Sequence, residues 1–178
     1  MDILAHGLWA VALYMALNLH KKNKKPLLSL KWAFFWGVFP DLFAFVPMFI
    51  WRTWQSLMGR AVPFGRPVEP SGMDTLPIYN ATHGLYSLSH SLVVFLIAFA
   101  LVFYFYKVCK KPNVFITGGW LLHIFCDVPT HSYRFFPTPV LWPISAWKFN
   151  GISWGTPWFM ALNYSALFVA YVWLFRKK

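Results

Sequence analysis

The chain has 178 residues, of which 58% are hydrophobic, 21% are aromatic and only 12% are charged. Soluble globular domains carry about 25% charged residues, so this composition excludes an ordinary soluble domain and indicates a membrane protein with several spans. The formal net charge is +11. Because no basic stripe with interleaved aromatic residues lies in a polar segment, we expect no nucleic-acid binding. We expect the excess Lys and Arg residues to set topology beside anionic lipid.

Five apolar runs predict an all-α, polytopic membrane helical bundle of about five transmembrane helices, forming a single domain over residues 1–178. In chain order the runs cover about 3–19, 27–51, 83–106, 114–128 and 157–175. The first is just long enough to cross the ~30 Å hydrocarbon layer. Within the second, Pro40 predicts a kink or break, and Pro47 is a candidate early end. Pro129 is expected to end the fourth.

Two segments between the runs are less apolar. Residues 52–82 combine Pro, Gly and mixed charges, which predicts a loop without a span. Residues 132–156 are rich in Pro, Trp and Gly. Aromatic rings collect at the membrane–water interface, so we expect this second segment to lie there.

Basic residues are distributed unevenly among the loops. Eleven lie in segments 20–31, 107–111 and 176–178, and only five lie in 52–82 and 132–156. The positive-inside rule then predicts an N-terminus outside the cytoplasm and a cytoplasmic C-terminus. With that orientation, six candidate ligands lie at one level, on the non-cytoplasmic face of the membrane. They are His6, Asp41, His83, His90, His123 and Asp127.

The strongest chemical signal is the pair His123 and Asp127, four residues apart on one face of a predicted helix. A carboxylate at the centre of a membrane helix costs roughly 2.5–3.5 kcal/mol. Imidazole and carboxylate together are natural ligands of a divalent metal ion. The alternative is a buried ion pair or a hydrogen-bonded helix contact. The other polar groups at the same depth favour the metal.

His83 and His90 are seven residues apart, so two helical turns place them within about 20° of each other. Either is a candidate ligand. We favour His90, which lies deeper, and His83 is alternatively an interfacial helix cap.

Asp41 follows Pro40 in an apolar segment and is a candidate ligand or general base, with a helix cap as the alternative. His6 is a candidate ligand or an interfacial His.

Three further residues carry weaker signals. Arg134 is a candidate anion clamp because a guanidinium group suits phosphate, although a solvated interfacial Arg is an equal alternative. His131 follows Pro129 and is a weaker candidate ligand. His20 lies among lysines on the opposite side of the membrane and is set aside.

Several of these motifs occur together in a known order. An early His, Gly37 to Asp41, His83 to Ser91, His123 to Asp127 and Leu141 to Pro143 follow one another along the chain. This order resembles the YdjM-like family of bacterial membrane-bound metal-dependent hydrolases. The family's segment His-Arg-Gly-x-Thr-His-Ser is altered here, because Gly84 directly follows His83, which leaves open which His of this segment binds metal.

The ligand order is also similar to zinc-dependent phospholipase C and its related nucleases. That resemblance implies one ion held by four residues: Asp41, His90, His123 and Asp127. It further implies a second ion held by His6 and Asp127.

The residues and the resemblance together predict a membrane-bound metal-dependent hydrolase of the bacterial inner membrane. We expect metal-activated water to cleave a phosphoester of a lipid or lipid-linked substrate at the extracytoplasmic face, with Asp41 as a base and Arg134 stabilising phosphoryl charge. Zinc, as one or two ions, is the first choice, and manganese or iron also suit the ligands. The alternative is a non-enzymatic metal-binding membrane transport or assembly protein, although the cytoplasmic halves of the spans provide no polar path.

Overall fold

The computed structural model describes residues 1–19, 29–60, 76–109 and 117–177, and these form an all-helical protein. Its elements are α1 (Ile3–Leu19), α2 (Leu30–Leu57), α3 (Pro77–Ser89), α4 (Leu92–Cys109), α5 (Gly118–Thr130) and α6 (Pro157–Arg176). Of these, α2 and α6 are long and apolar enough to cross a membrane, and α3 with α4 forms a third candidate if the bent pair is one span. The structure therefore supports two or three spans by length and composition.

Helix α2 runs without interruption through Pro40 and Pro47, so a break at Pro40 and an early end at Pro47 are wrong, whereas a kink at Pro40 stays a prediction. Each Pro removes one backbone donor from the helix. Membrane helices tolerate this loss where neighbouring helices hold the backbone in place, and Pro40 is buried.

The predicted loop is also shorter than 52–82, because α2 continues to Leu57 and α3 begins at Pro77. His20 and residues 61–75 lie outside the described part of the chain.

The predicted run over 83–106 is two helices, bent by 58° at His90 and Ser91. Ser91 directly precedes the second of them. Its Oγ accepts hydrogen bonds from the N–H groups of Val93 and Val94, at 3.1 and 3.3 Å. The same hydroxyl donates to the carbonyl oxygen of Trp142. The break is thus capped locally and tied to the segment that precedes α6.

Helices α1, α2 and α5 pack closely because glycines lie where they meet. A Cβ atom on Gly37 of α2 would lie 2.8 Å from the Cβ of Ala10 and 2.9 Å from the carbonyl oxygen of His6. A Cβ atom on Gly119 of α5 would lie 2.7 Å from the carbonyl oxygen of Ala33. Small residues allow membrane helices to approach backbone to backbone in this way.

The segment between α5 and α6 closes the end of α5. The N–H groups of Gly151, Ile152 and Trp154 donate to carbonyl oxygens in and just after the last turn of α5, at 2.7, 2.9 and 3.0 Å. These bonds satisfy carbonyl groups that a helix end leaves without a partner. As a result, the segment is fixed against the end of the bundle where Asp127 lies.

Candidate metal centre

Four buried side chains from three parts of the chain meet inside the bundle. Asp41 comes from α2, His90 from the break between α3 and α4, and His123 and Asp127 from one face of α5. One ligand atom from each residue lies within 4.8 Å of all the others. Their side chains are between 0% and 5% exposed. The group therefore has the composition and convergence of a metal site.

The distances among these atoms match those expected around one ion. His90 Nε2 and His123 Nε2 are 3.0 Å apart, and each lies 3.3 Å from Asp127 Oδ2. Asp41 Oδ1 lies 3.4 Å from the first nitrogen and 3.7 Å from the second. Ligand atoms of a tetrahedral zinc site, with bonds of 2.0–2.1 Å, lie about 3.3 Å apart.

Backbone carbonyl groups orient both imidazole rings. His123 Nδ1 lies 2.7 Å from the carbonyl oxygen of Gly37, and His90 Nδ1 lies 3.2 Å from that of Tyr86. A carbonyl oxygen only accepts hydrogen bonds, so the contact with Gly37 places a proton on His123 Nδ1. His90 Nδ1 lies near the Tyr86 carbonyl oxygen and, at 2.9 Å, near the Ser89 hydroxyl. In a neutral ring Nε2 then presents a lone pair. The two Nε2 atoms lie 3.0 Å apart, and a cation between them would accept the lone pairs of both neutral rings.

The carboxylate groups lead to the same conclusion. Asp41 Oδ2 and Asp127 Oδ2 are buried, and neither has a hydrogen-bond partner among the described residues. Burying such oxygens without a partner is costly, more so within apolar helices. A divalent cation would satisfy both carboxylates and both rings together. The residues present therefore fit a metal ion.

The second oxygen of Asp127 faces a different set of nitrogen atoms. Oδ1 lies 2.6 Å from the α-amino group of Met1, 2.8 Å from His6 Nε2 and 3.3 Å from His131 Nδ1. The His6 ring stacks on His123, with centroids 3.6 Å apart. Its two ring nitrogens are buried without hydrogen-bond geometry to any described residue. Asp127 thus links two groups of imidazole nitrogens, one on each of its oxygens.

Comparison with known proteins agrees with this arrangement. The profile of the family described as YdjM inner membrane protein matches residues 1–177. The chain belongs to the YdjM inner membrane protein family. The predicted resemblance to YdjM-like proteins is thereby confirmed, and the protein is an integral membrane protein. No curated protein and no solved structure shows significant similarity to the chain.

Two residues predicted for the site of this YdjM protein lie apart from the four-residue cluster. His83 is exposed and its ring stacks on Phe136, with centroids 4.4 Å apart. It precedes His90 by seven residues, which corresponds to about 10 Å along α3. Arg134 is exposed in the segment that follows α5. His90 rather than His83 supplies the imidazole at the cluster.

Sequence reasoning missed the groups that orient the imidazole rings of the cluster. They are the carbonyl oxygens of Gly37 and Tyr86, and the Oγ of Ser89, which lies 2.9 Å from His90 Nδ1. No sequence pattern reports a backbone acceptor. One signal was nevertheless available, because Ser91 directly before an apolar run is a helix N-cap signature and would have indicated the break at His90.

Proposed function

We propose that this YdjM family protein is a membrane-bound metal-dependent hydrolase. The proposed substrate is a lipid or lipid-linked phosphoester, cleaved at the extracytoplasmic face. One observation carries the proposal: two imidazole rings and two carboxylates each place one ligand atom within 4.8 Å of the other three, buried inside an apolar bundle. Zinc is the preferred ion because imidazole and carboxylate ligands suit it, and manganese and iron are the next candidates.

The chemistry of such a centre favours hydrolysis. When bound, a divalent cation supplies Lewis acidity and lowers the pKa of water, to about 7 in favourable zinc sites. Asp41 directs Oδ1 at the cluster and leaves Oδ2 buried without a hydrogen-bond partner among the described residues. This second oxygen is suited to accept a proton from water, so we assign Asp41 a role as general base beside its role as ligand.

His6 and Asp127 are assigned to a second divalent ion, and Arg134 is assigned to binding the phosphoryl oxygens. His6 Nε2 and Asp127 Oδ1 form the second position that the resemblance to zinc-dependent phospholipase C implies, and their separation of 2.8 Å supports it. His131 Nδ1 lies 3.3 Å from the same oxygen. Arg134, exposed three residues further along the chain, is suited to pair with phosphoryl oxygens of a substrate that approaches the outer end of α5.

We further propose that the chain crosses the membrane about five times, with its N-terminus outside and its C-terminus in the cytoplasm. The clustering of basic residues supports this topology. Alkaline phosphatase and green fluorescent protein fusions, placed in the 107–111 turn and at the C-terminus, test it. Fluorescence at both positions without phosphatase activity is expected. Phosphatase activity at the 107–111 turn would overturn the proposed orientation.

One observation favours the alternative of a non-enzymatic metal-binding transport or assembly protein. The cluster provides four protein ligand atoms, as structural zinc sites do, whereas catalytic sites usually keep one position open. A protein of this second kind would bind its ion tightly and catalyse no reaction. The two proposals therefore differ in activity and not in metal content.

The deciding experiment combines metal analysis with a lipid assay. The protein is purified in detergent without chelator, its metal content is measured by mass spectrometry, and labelled phospholipids are supplied with and without chelator. We expect bound metal and phosphoester cleavage that chelator abolishes and zinc restores. The variant His123→Ala should lose both properties, and His83→Ala should keep both. Metal retained without turnover across a broad phospholipid panel would favour the alternative, and absence of metal would overturn both proposals.

A further inference from the structure

An apolar cleft with a volume of about 300 Å³ lies behind the metal centre, between α1, α5 and α6. Helix α1 packs against both of the other helices, whereas the backbones of α5 and α6 do not approach each other closely within their described residues. The side chains that line the cleft include two from each helix: Trp9, Ala16, Leu122, Cys126, Ala170 and Trp173.

Polar atoms near the cleft are directed away from it. The indole N–H of Trp9 donates to Asn163 Oδ1 at 2.9 Å. The hydroxyl group of Tyr171 donates to the carbonyl oxygen of Leu8, also at 2.9 Å. The walls of the cleft are therefore almost wholly apolar. An occupant that fits them is a hydrocarbon, because a polar group placed there would lose its hydrogen bonds.

The width of the cleft excludes a helix as occupant. The stretch of α1 that lines it, Trp9 to Ala16, spans about 10 Å along the helix axis. Once the ~1.4 Å radius of a water molecule is allowed for, a volume of about 300 Å³ over that length corresponds to a cleft about 9 Å wide, narrower than the roughly 10–12 Å diameter of a helix with its side chains. A single unbranched hydrocarbon chain is the slender apolar group that a bilayer supplies.

The cleft leads to the level of the metal centre. Leu122 and Cys126 line it, and the next residue after each is a member of the cluster. Cys126 packs against Met1, Ala5 and Leu167 at the outer end of the cleft. The α-amino group of Met1 lies against Asp127 Oδ1. A hydrocarbon chain in the cleft would thus end one residue layer from the carboxylate that links the two groups of imidazoles.

We propose that the cleft binds one acyl chain of the lipid substrate and thereby positions the phosphoester beside Asp127. This inference rests on the proposed lipid hydrolase function and deepens it, since it makes an acyl chain, entering from the membrane between α5 and α6, a determinant of substrate choice. Soluble phosphoesters that lack a long chain would bind without the apolar contacts that the cleft provides.

The first test is independent of activity. The protein in phosphatidylglycerol vesicles is irradiated with a phospholipid that carries a diazirine in its acyl chain, and cross-linked residues are mapped by mass spectrometry. We expect labelling concentrated on Leu122, Cys126 and Trp173, reduced at least about fivefold in Ala170→Phe, which fills the cleft. Equal labelling of the exposed α6 residue Phe168, or cross-links between two copies of the chain at Trp173, would overturn the proposal.

The matched control is Ala161→Phe. Ala161 is exposed on the same helix, nine residues before Ala170, which places it on the opposite face. This variant introduces the same side chain without entering the cleft. Its labelling pattern should equal that of the unmodified chain. A reduction as large as that in Ala170→Phe would indicate general disturbance of α6 and would overturn the assignment of the cleft.

The second test uses hydrolysis and separates this inference from the proposed function. In Ala170→Phe, cleavage of a long-chain phospholipid should fall at least about tenfold, the effect of excluding as few as two methylene groups from an apolar site. Cleavage of a dihexanoyl phospholipid and the metal content should change less than about twofold. Equal losses for both lipids would overturn the inference. If the unmodified chain hydrolyses neither lipid, that result counts against the proposed function, and the labelling experiment alone then decides whether the cleft binds an acyl chain.

Discussion

Apolar helices form both the centre of the bundle and its periphery, but the two regions bury different kinds of side chain. Around α1, α2 and α5 the fully buried side chains include His6, His90, His123 and Asp127. On α4 and α6 large apolar side chains such as Phe105 and Phe168 are 60% and 71% exposed. In a membrane, apolar surface faces lipid at little cost and polar groups require the interior. High hydropathy therefore indicates a membrane helix but not which side of it carries function.

The two regions also differ in how their helices approach each other. In the centre, Gly37 and Gly119 bring backbones into contact, which lets the carbonyl oxygen of Gly37 reach His123. At the periphery, α6 is held to α1 through long side chains, such as Tyr164, which donates to Asp2, and Tyr171, which donates to Leu8. Close packing fixes the ligands, and the looser packing leaves the cleft open.

Of the substitutions considered, Asp127→Asn should lower the metal affinity of the centre most. The amide replaces a ligand oxygen with a donor and removes the charge that faces nitrogens on both sides, so metal affinity should fall more than about 100-fold. Metal content after dialysis measures the effect. Asp2→Asn is the control, because Asp2 Oδ1 only accepts from Ala5 N–H and the Tyr164 hydroxyl and the amide keeps an acceptor oxygen. Full metal content in Asp127→Asn would refute the site.

His90→Ala and His83→Ala should separate the two histidines of the third run. His90 lies in the cluster, so its removal should lower metal affinity by more than about tenfold. His83 is exposed against Phe136, so its removal should change the affinity less than about twofold. Titration of the metal-free protein with Zn²⁺ measures both. Equal losses in the two variants would contradict the geometry of the centre.

Gly37→Ala should weaken the packing of α1 against α2. The added methyl group would lie within 3 Å of the Ala10 Cβ and the His6 carbonyl oxygen, and overpacking of this kind costs about 1–3 kcal/mol in the free energy of unfolding. Denaturant titration in mild detergent measures it. At Gly84 a Cβ atom meets nothing within 4 Å, so Gly84→Ala should stabilise the helix by about 0.5–1 kcal/mol. Equal effects at both positions would show that close packing is not what Gly37 provides.

Ser91→Ala should have the smallest effect, because it removes one helix cap while leaving every cluster residue in place. Loss of the hydrogen bonds to Val93 and Val94 should cost about 1 kcal/mol in the free energy of unfolding. The same denaturant titration measures it. Ser87→Ala on α3 is the control, since Ser87 lies within the helix and caps nothing. An unchanged stability in Ser91→Ala would contradict a stabilising role of the Ser91 hydroxyl at the break.

Much of the fold follows from local pattern. The apolar run that begins at Ile3 coincides with α1, and the final run coincides with α6 to within one residue. The spacing of His123 and Asp127 placed both on one helix face because helical periodicity is a local property. The continuous α2 did not follow, because the packing that lets a helix tolerate Pro40 and Pro47 comes from neighbours distant in sequence.

The sequence by itself determined that the chain is a helical membrane protein whose buried imidazole and carboxylate groups require a partner, because composition and spacing fix both points. Only the tertiary structure decided that His90 and not His83 completes the cluster, that Gly37 and Tyr86 orient the rings, and that α5 and α6 leave a cleft between them. The physical reason is distance along the chain: contacts such as that between Gly37 and His123 join residues 86 positions apart, and no local periodicity encodes them.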